Sequence, residues 1–302
     1  MRDTLVIWRI SDNRRGHDIQ SKGLVNALSR RVSCASHDIP DRALHFWFWQ
    51  FLLKKYPPGD MLPRPQLIVG AGHGTHLPML CARHAYGGQV VVIMKPSLPM
   101  NCFDFCLIPD HDNPRITDRV IVTRGAINAI KPSLHHDQNH GLIMVGGPSK
   151  HYAWDDAAIL QQIDHILKKS GDVIWHITDS LRTPVSTSDA LARLKLPGAT
   201  FYSYKNTDPD WVANQLQKSG CVWVSEDSMS MIYESLTAGA ATGLLHVPVK
   251  RKGKLTKCIQ SLIVNNMITS FADWNKNRLL SPPADILDEA GRCAEYLLEK
   301  IK

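Results

Sequence analysis

No stretch of about 20 apolar residues occurs in this chain, so a transmembrane helix is not expected. No Cys-x-x-Cys pair occurs either. The seven cysteines are scattered, and the nearest two, Cys102 and Cys106, fall in a strand-like run. That pattern fits reduced, mostly buried thiols and neither a zinc site nor a disulfide framework. The start, Met1-Arg2-Asp3-Thr4-Leu5-Val6-Ile7-Trp8, lacks the long apolar region and small-residue cleavage site of a signal peptide, so residence in the cytosol is expected. A net charge of +7 suits an anionic small molecule, a membrane surface or nucleic acid. With no RNP sequence and no zinc finger, nucleic acid ranks last of the three. No Gly-x-Gly-x-x-Gly loop follows a strand, and no phosphate-loop lysine follows a glycine run.

What the 302 residues do contain is an unbroken alternation of strand-like and helix-like segments, enough for two domains of about 150 residues each. In the first half, strands are expected at Leu5–Ile10, Val32–Ile39, Gln66–Ala71, Gln89–Met94, Phe103–Ile108 and Val120–Val122, with helices over Ile19–Leu28 and His76–Tyr86. The pattern restarts with strands at Leu142–Val145, Val173–Ile177, Thr200–Tyr204, Cys221–Val224 and Gly243–Val247, and a helix over Asp156–Lys168. Short apolar strands between helices imply parallel sheets covered on both faces. The fold class is α/β: two Rossmann-like doubly wound domains facing a cleft. The expected domains are 1–130 and 141–283, with Asn128–Asn139 as a polar linker and an amphipathic C-terminal helix over 284–302. Ligands of such sheets bind at the carboxyl ends of the strands.

Most of the polar motifs follow a strand. Asp227 and Ser228 sit where a helix begins after Cys221–Val224, a position that attracts anions and also favours plain N-caps. Seven residues on, Glu234 is expected to project from nearly the same face, placed for ribose hydroxyls. Gly146-Gly147-Pro148-Ser149-Lys150 follows the first strand of the second half, where glycine amides can approach a diphosphate. Arg182, in Thr178-Asp179-Ser180-Leu181-Arg182-Thr183-Pro184, offers a fork for phosphate oxygens or is a surface arginine before a capped helix. In the loop Ser11–Gln20, His17 is a candidate general base and Asp12 either orients it or takes the proton itself; a helix-capping loop is the other reading. Gly70-Ala71-Gly72-His73-Gly74 reads as a glycine-rich turn. The aromatic run His45–Leu53, followed by Lys54 and Lys55, reads first as a core helix and second as a membrane-interface helix. The basic run Lys250-Arg251-Lys252-Gly253-Lys254 reads as a solvated loop that could also serve phosphates.

Taken in order, Ser11-Asp12, Gly16-His17, Gln20-Ser21, Leu24, Phe103-Asp104, Pro109, His111-Asp112, Thr123-Arg124-Gly125-Ala126, Gly146-Gly147 with Ser149, Arg182-Thr183-Pro184, and Asp227-Ser228 with Ser230-Met231 and Glu234 resemble a known family. It is the mitochondrial fission family, named after a plant "elongated mitochondria" factor, and it is similar to glycosyltransferases of the B fold (GT-B). The resemblance implies a nucleotide-sugar donor in the second domain, an acceptor in the first, and a final helix crossing back to the first domain. It implies donor contacts from Gly146, Gly147, Ser149, Arg182, Thr183, Asp227, Ser228, Ser230 and Glu234, with Asp12 or His17 as base. No metal and no cofactor beyond the nucleotide-diphosphate sugar is expected. The expected partners are that donor and an acceptor hydroxyl, with a lipid-linked or cell-envelope acceptor at a membrane surface as one option. The location is cytoplasmic, with peripheral membrane attachment as an option; oligomeric state is left open. The chain departs from the family pattern at Ala241-Thr242, where Pro-Val is usual, and at Ser235, where Ala is usual. The plant member is described as a recruiting adaptor, so the alternative is a non-catalytic membrane-associated adaptor of the same fold. A sugar-nucleotide epimerase ranks third, because the first loop lacks a Gly-x-x-Gly-x-x-Gly cofactor motif.

Overall fold

Runs of β-branched and aliphatic residues pair side by side as parallel strands in both halves of the computed structural model, which describes residues 4–40, 44–194 and 197–301. Unit 1 comprises Met1–Ala129 with Asp288–Lys302, and unit 2 comprises Ile130–Leu287. In unit 1 the strands are β1 (Leu5–Ser11), β2 (Cys34–Pro40), β3 (Leu67–Ala71), β4 (Gln89–Ile93), β5 (Phe105–Pro109) and β6 (Val120–Thr123). They form one six-stranded sheet in the order β2-β1-β3-β4-β5-β6. Strands β3 and β5 are buried along their whole length, as sheets covered on both faces require. The covering helices are α1 (Arg15–Ser29), α2 (Leu44–Leu53) and α3 (His76–Tyr86).

Unit 2 repeats the plan with β7 (Asp137–Met144), β8 (Ile174–Thr178), β9 (Ala199–Tyr202), β10 (Ser219–Ser225), β11 (Ala241–Leu245) and β12 (Thr269–Ser270). Their order is β12-β11-β10-β7-β8-β9, which is the doubly wound dinucleotide-fold order. The helices between them are α4 (Asp156–Lys169), α5 (Val185–Arg193), α6 (Trp211–Lys218), α7 (Met229–Ala238), α8 (Lys254–Val264) and α9 (Phe271–Asn277). Strand β7 begins at Asp137, inside the stretch read from sequence as linker, because it pairs with β10 as far back as Ser219.

The last helix, α10 (Glu289–Lys300), belongs to unit 1. Ala290, Cys293, Ala294 and Leu297 recur at helical spacing and are buried with Leu24, Val25 and Leu28 of α1. Burying Leu297 alone stabilises by about 1.5–3 kcal/mol. A polar clamp fixes the register. Buried Glu289 accepts the Arg124 amide at 2.9 Å and pairs with Arg292 at 2.6 Å, and Arg292 donates to the Val122 carbonyl at the end of β6.

All seven cysteines are free thiols, and burial pushes Cys81, Cys221 and Cys293 up to about 12. Among the described residues no helix is long and apolar enough to cross a membrane.

Helix α2 departs from the core reading. Trp47 is buried and stacks on Tyr56 at 5.1 Å, which stacks on Trp8 at 5.7 Å. That anchor uses one face only. Phe48, Trp49, Leu52 and Leu53 are 55–61 % exposed, so most of the apolar surface of the helix lies outside the core.

Candidate functional site

Chain order in the unit 2 sheet reverses between β7 and β10, and the residues that follow these two strands meet. The Gly146 amide donates to Ser225 Oγ at 2.7 Å, and the Gly147 amide to Asp227 Oδ2 at 3.0 Å. Asp227 Oδ2 also pairs with Arg182 Nη2 at 2.7 Å; the aspartate side chain is wholly buried and the arginine 41 % exposed. Arg182 Nη1 donates to the Gly147 carbonyl at 3.2 Å, and Thr183 Oγ1 to the Gly146 carbonyl at 2.6 Å. Gly147 is required by close approach: a Cβ there would stand 2.0 Å from the Arg182 carbonyl oxygen. The result is a guanidinium held on two sides by protein and open to solvent on a third.

Two sequence expectations change here. The amides of Gly146 and Gly147 are occupied by Ser225 and Asp227, so they tie the glycine pair to the residues that end and follow β10 and do not form a free anion cradle. Asp227 precedes the N-cap residue Ser228, outside α7, so helical spacing does not relate it to Glu234. Asp227 is buried against the glycine pair. Glu234 lies half-buried on the helix and accepts a hydrogen bond from Ser230 at 3.0 Å. Among the described residues no side chain caps α7, which leaves its first-turn amides to a partner from outside the helix. Ser149 serves a local turn, accepting the amides of His151 and Tyr152. Asp227 Oδ1 is buried with no hydrogen-bond partner among the described residues. Ser225, the last residue of β10, escaped sequence reasoning because nothing local marks a serine that will face the neighbouring strand.

Unit 1 builds a second cluster at the corresponding place, where β1 lies beside β3 and the crossovers diverge. Asp12 follows β1, and His17 lies in the first turn of α1. The two meet at 2.8 Å, His17 Nδ1 to Asp12 Oδ2, with side chains 17 % and 6 % exposed. Asp12 Oδ1 accepts the Arg14 amide, which fixes the carboxylate. The glycine-rich turn after β3 makes room for the pair. A Cβ on Gly72, whose φ is +79°, would stand 2.2 Å from the His17 ring, and one on Gly74 would stand 3.1 Å from Asp12 Cβ. The glycines thus shape the wall against which the histidine rests. With Nδ1–H donated to Asp12, Nε2 is left as the acceptor.

The sequence profile of the family described as Mitochondrial fission ELM1 matches residues 15–301. The chain belongs to that family. It is 22 % identical to the uncharacterised Rickettsia prowazekii (strain Madrid E) protein RP120, over 98 % of each chain. In fold it is similar to the UDP-GlcNAc 2-epimerase from Neisseria meningitidis bound to UDP-GlcNAc, with a TM-score of 0.60, 11 % identity and 99 % of each chain covered. It is also similar to the glycotransferase of kitacinnamycin, with a TM-score of 0.53, 12 % identity, and 99 % and 100 % of the two chains covered. At such identities the likeness is one of fold: this family member has the GT-B architecture of two parallel six-stranded sheets. That architecture is shared by proteins titled an epimerase and a glycotransferase, so the fold alone does not separate the two activities.

A cavity of about 630 Å³ lies beyond the ends of β10 and β11 in unit 2. Glu226 stands beside it, accepting from His246 Nδ1 at 3.2 Å and from the Val247 amide at 3.1 Å. The hydrogen bond to Glu226 raises the His246 pKa against the effect of burial. Neither residue was marked in the sequence, because their meeting depends on β10 lying beside β11.

Proposed function

We propose that the chain is a metal-independent glycosyltransferase that moves a sugar from a nucleotide-diphosphate donor to an acceptor hydroxyl. The observation that carries this reading is the Arg182–Asp227–Gly147 cluster at the strand-order reversal of unit 2, beside the uncapped start of α7. Ligands of doubly wound sheets bind at that reversal, and helix starts attract phosphate. Arg182 would fork onto diphosphate oxygens and stabilise the charge that develops as the sugar bond breaks. Asp227 would be its positioning residue. The first-turn amides of α7 would take a second oxygen, and Glu234 would accept from the ribose. In unit 1 the acceptor hydroxyl would give its proton to His17 Nε2, with Asp12 orienting the ring; the deeper burial of Asp12 favours that division of roles.

The test is calorimetric titration with UDP, GDP and CMP, followed by product analysis. At least one nucleoside diphosphate is expected to bind, with a Kd in the micromolar range common for substrates. Arg182→Ala should weaken that binding by about tenfold to a hundredfold. Release of nucleotide only when an acceptor is present marks a transferase. A changed sugar on an intact nucleotide marks an epimerase, the activity named for one fold neighbour. Binding of none of the three would leave the adaptor reading standing.

The exposed face of α2 supports peripheral attachment and a lipid-linked acceptor. Phe48, Trp49, Leu52 and Leu53 form an apolar surface that continues into exposed Lys54 and Lys55, the composition of an interfacial helix on an anionic bilayer. Co-sedimentation with phosphatidylglycerol-containing vesicles is the measurement. Trp49→Glu combined with Leu52→Glu should cut binding more than about tenfold, since each buried apolar side chain contributes roughly 1.5–3 kcal/mol. Equal sedimentation of both proteins would reject the attachment.

A further inference from the structure

The cavity beside Glu226 has an unbalanced lining. Lys252 lines it from the loop after β11 and Lys257 from the first turn of α8, while Glu226 is the one carboxylate among its described lining residues. That carboxylate already serves His246 and the Val247 amide. Tyr152 also lines the cavity and is only 2 % exposed, yet its hydroxyl makes no hydrogen bond among the described residues. Burial, with Glu226 and Asp227 nearby, pushes that hydroxyl up to about 12, so it remains a donor. Gly253 precedes helix α8 as its N-cap residue, and the first turn of the helix holds no acid. Lys257 in that turn is repelled by the positive end of the helix, and such a local conflict is expected where a ligand resolves it. The volume of about 630 Å³ lies in the range of small-molecule sites.

Glu226, which lines the cavity, immediately precedes Asp227 of the cluster to which the donor diphosphate is assigned. We propose that this cavity is the subsite for the sugar of the donor and that it takes an acidic sugar, whose carboxylate meets the lysines and the Tyr152 hydroxyl. The inference rests on the nucleotide-sugar reading above and adds the charge class of the transferred sugar. His246, protonated through Glu226, adds to the positive side of the cavity at mildly acid pH.

The experiment compares matched donors by calorimetry: UDP, UDP-glucose and UDP-glucuronic acid, then GDP, GDP-mannose and GDP-mannuronic acid. The full chain is compared with the double variant Lys252→Gln, Lys257→Gln, whose two sites are exposed and should not affect folding. In one series the acid donor is expected to bind at least about tenfold tighter than its neutral partner, the effect of one charged hydrogen bond. The double variant should lose that preference while binding the plain nucleoside diphosphate within about twofold of the parent. The preference should also shrink as salt is raised. Nucleotide binding with equal affinity for acid and neutral donors in both series overturns the inference and leaves the nucleotide-sugar reading intact. A parallel loss of plain nucleoside diphosphate binding in the double variant also overturns it, because the lysines would then hold the diphosphate. No binding in either series overturns both.

Discussion

Gly147→Ala is expected to lose nucleotide binding and about 3 kcal/mol or more of unit 2 stability together. The added Cβ would meet the Arg182 carbonyl oxygen at 2.0 Å, its carbon at 2.4 Å and the Thr183 nitrogen at 2.9 Å. All three are backbone atoms, so no side-chain rotation relieves the contact and the Arg182 loop must move. Moving it breaks the Arg182–Gly147 hydrogen bond and strains the Asp227 pair, leaving a wholly buried carboxylate without its cation. Removing one partner of a buried charge pair is costly for that reason. Urea unfolding and calorimetry on the same preparation measure both effects. Gly16→Ala is the control, since nothing lies within 4 Å of its added Cβ. That change should alter stability by less than about 1 kcal/mol. An unchanged unfolding midpoint together with unchanged affinity in Gly147→Ala would show that this close approach is not needed.

His17→Ala should lower kcat by about a hundredfold to ten-thousandfold, the range for loss of a general base, with donor affinity unaltered because the histidine lies in unit 1 and the donor is assigned to unit 2. Asp12→Ala tests the division of roles. If Asp12 only orients the ring, the loss is smaller than for His17→Ala, and the double variant is no worse than the single His17→Ala. If Asp12 is itself the base, its removal alone gives the full loss. Steady-state rates with saturating donor decide between these, and full activity in His17→Ala would remove this pair from the mechanism. Gly72→Ala should mimic part of the defect, because the new Cβ would displace the ring from which Nε2 is presented.

Much of the architecture was legible along the chain. Unit 1 strands are buried apolar runs such as Leu67–Ala71 and Phe105–Pro109, and their short length between helices identifies a parallel sheet without knowledge of its order. The helix α10 pattern of Ala290, Cys293, Ala294 and Leu297 is likewise visible before any partner is known. Helix α2 was not legible in the same way. Its aromatic run is apolar nearly all round, and such a run carries no phase to say which face is covered; Trp47 turned inward, onto Tyr56, with Phe46 beside it against the core.

The site divides along the same line. Residue types and their positions after strands were enough to single out Asp12, His17, Gly146, Gly147, Arg182, Asp227 and Glu234, because loops at carboxyl ends of parallel strands are recognisable locally. What each one touches was not. Arg182 meets Asp227 and Gly147, Ser225 takes the Gly146 amide, and His17 rests on the turn at Gly72. Those meetings depend on β10 lying beside β7 and β3 beside β1, pairings between strands far apart in the chain. Local periodicity reports the faces of an element, whereas strand order is a property of the assembled sheet, so the contacts that give these side chains their roles were decided by the tertiary structure.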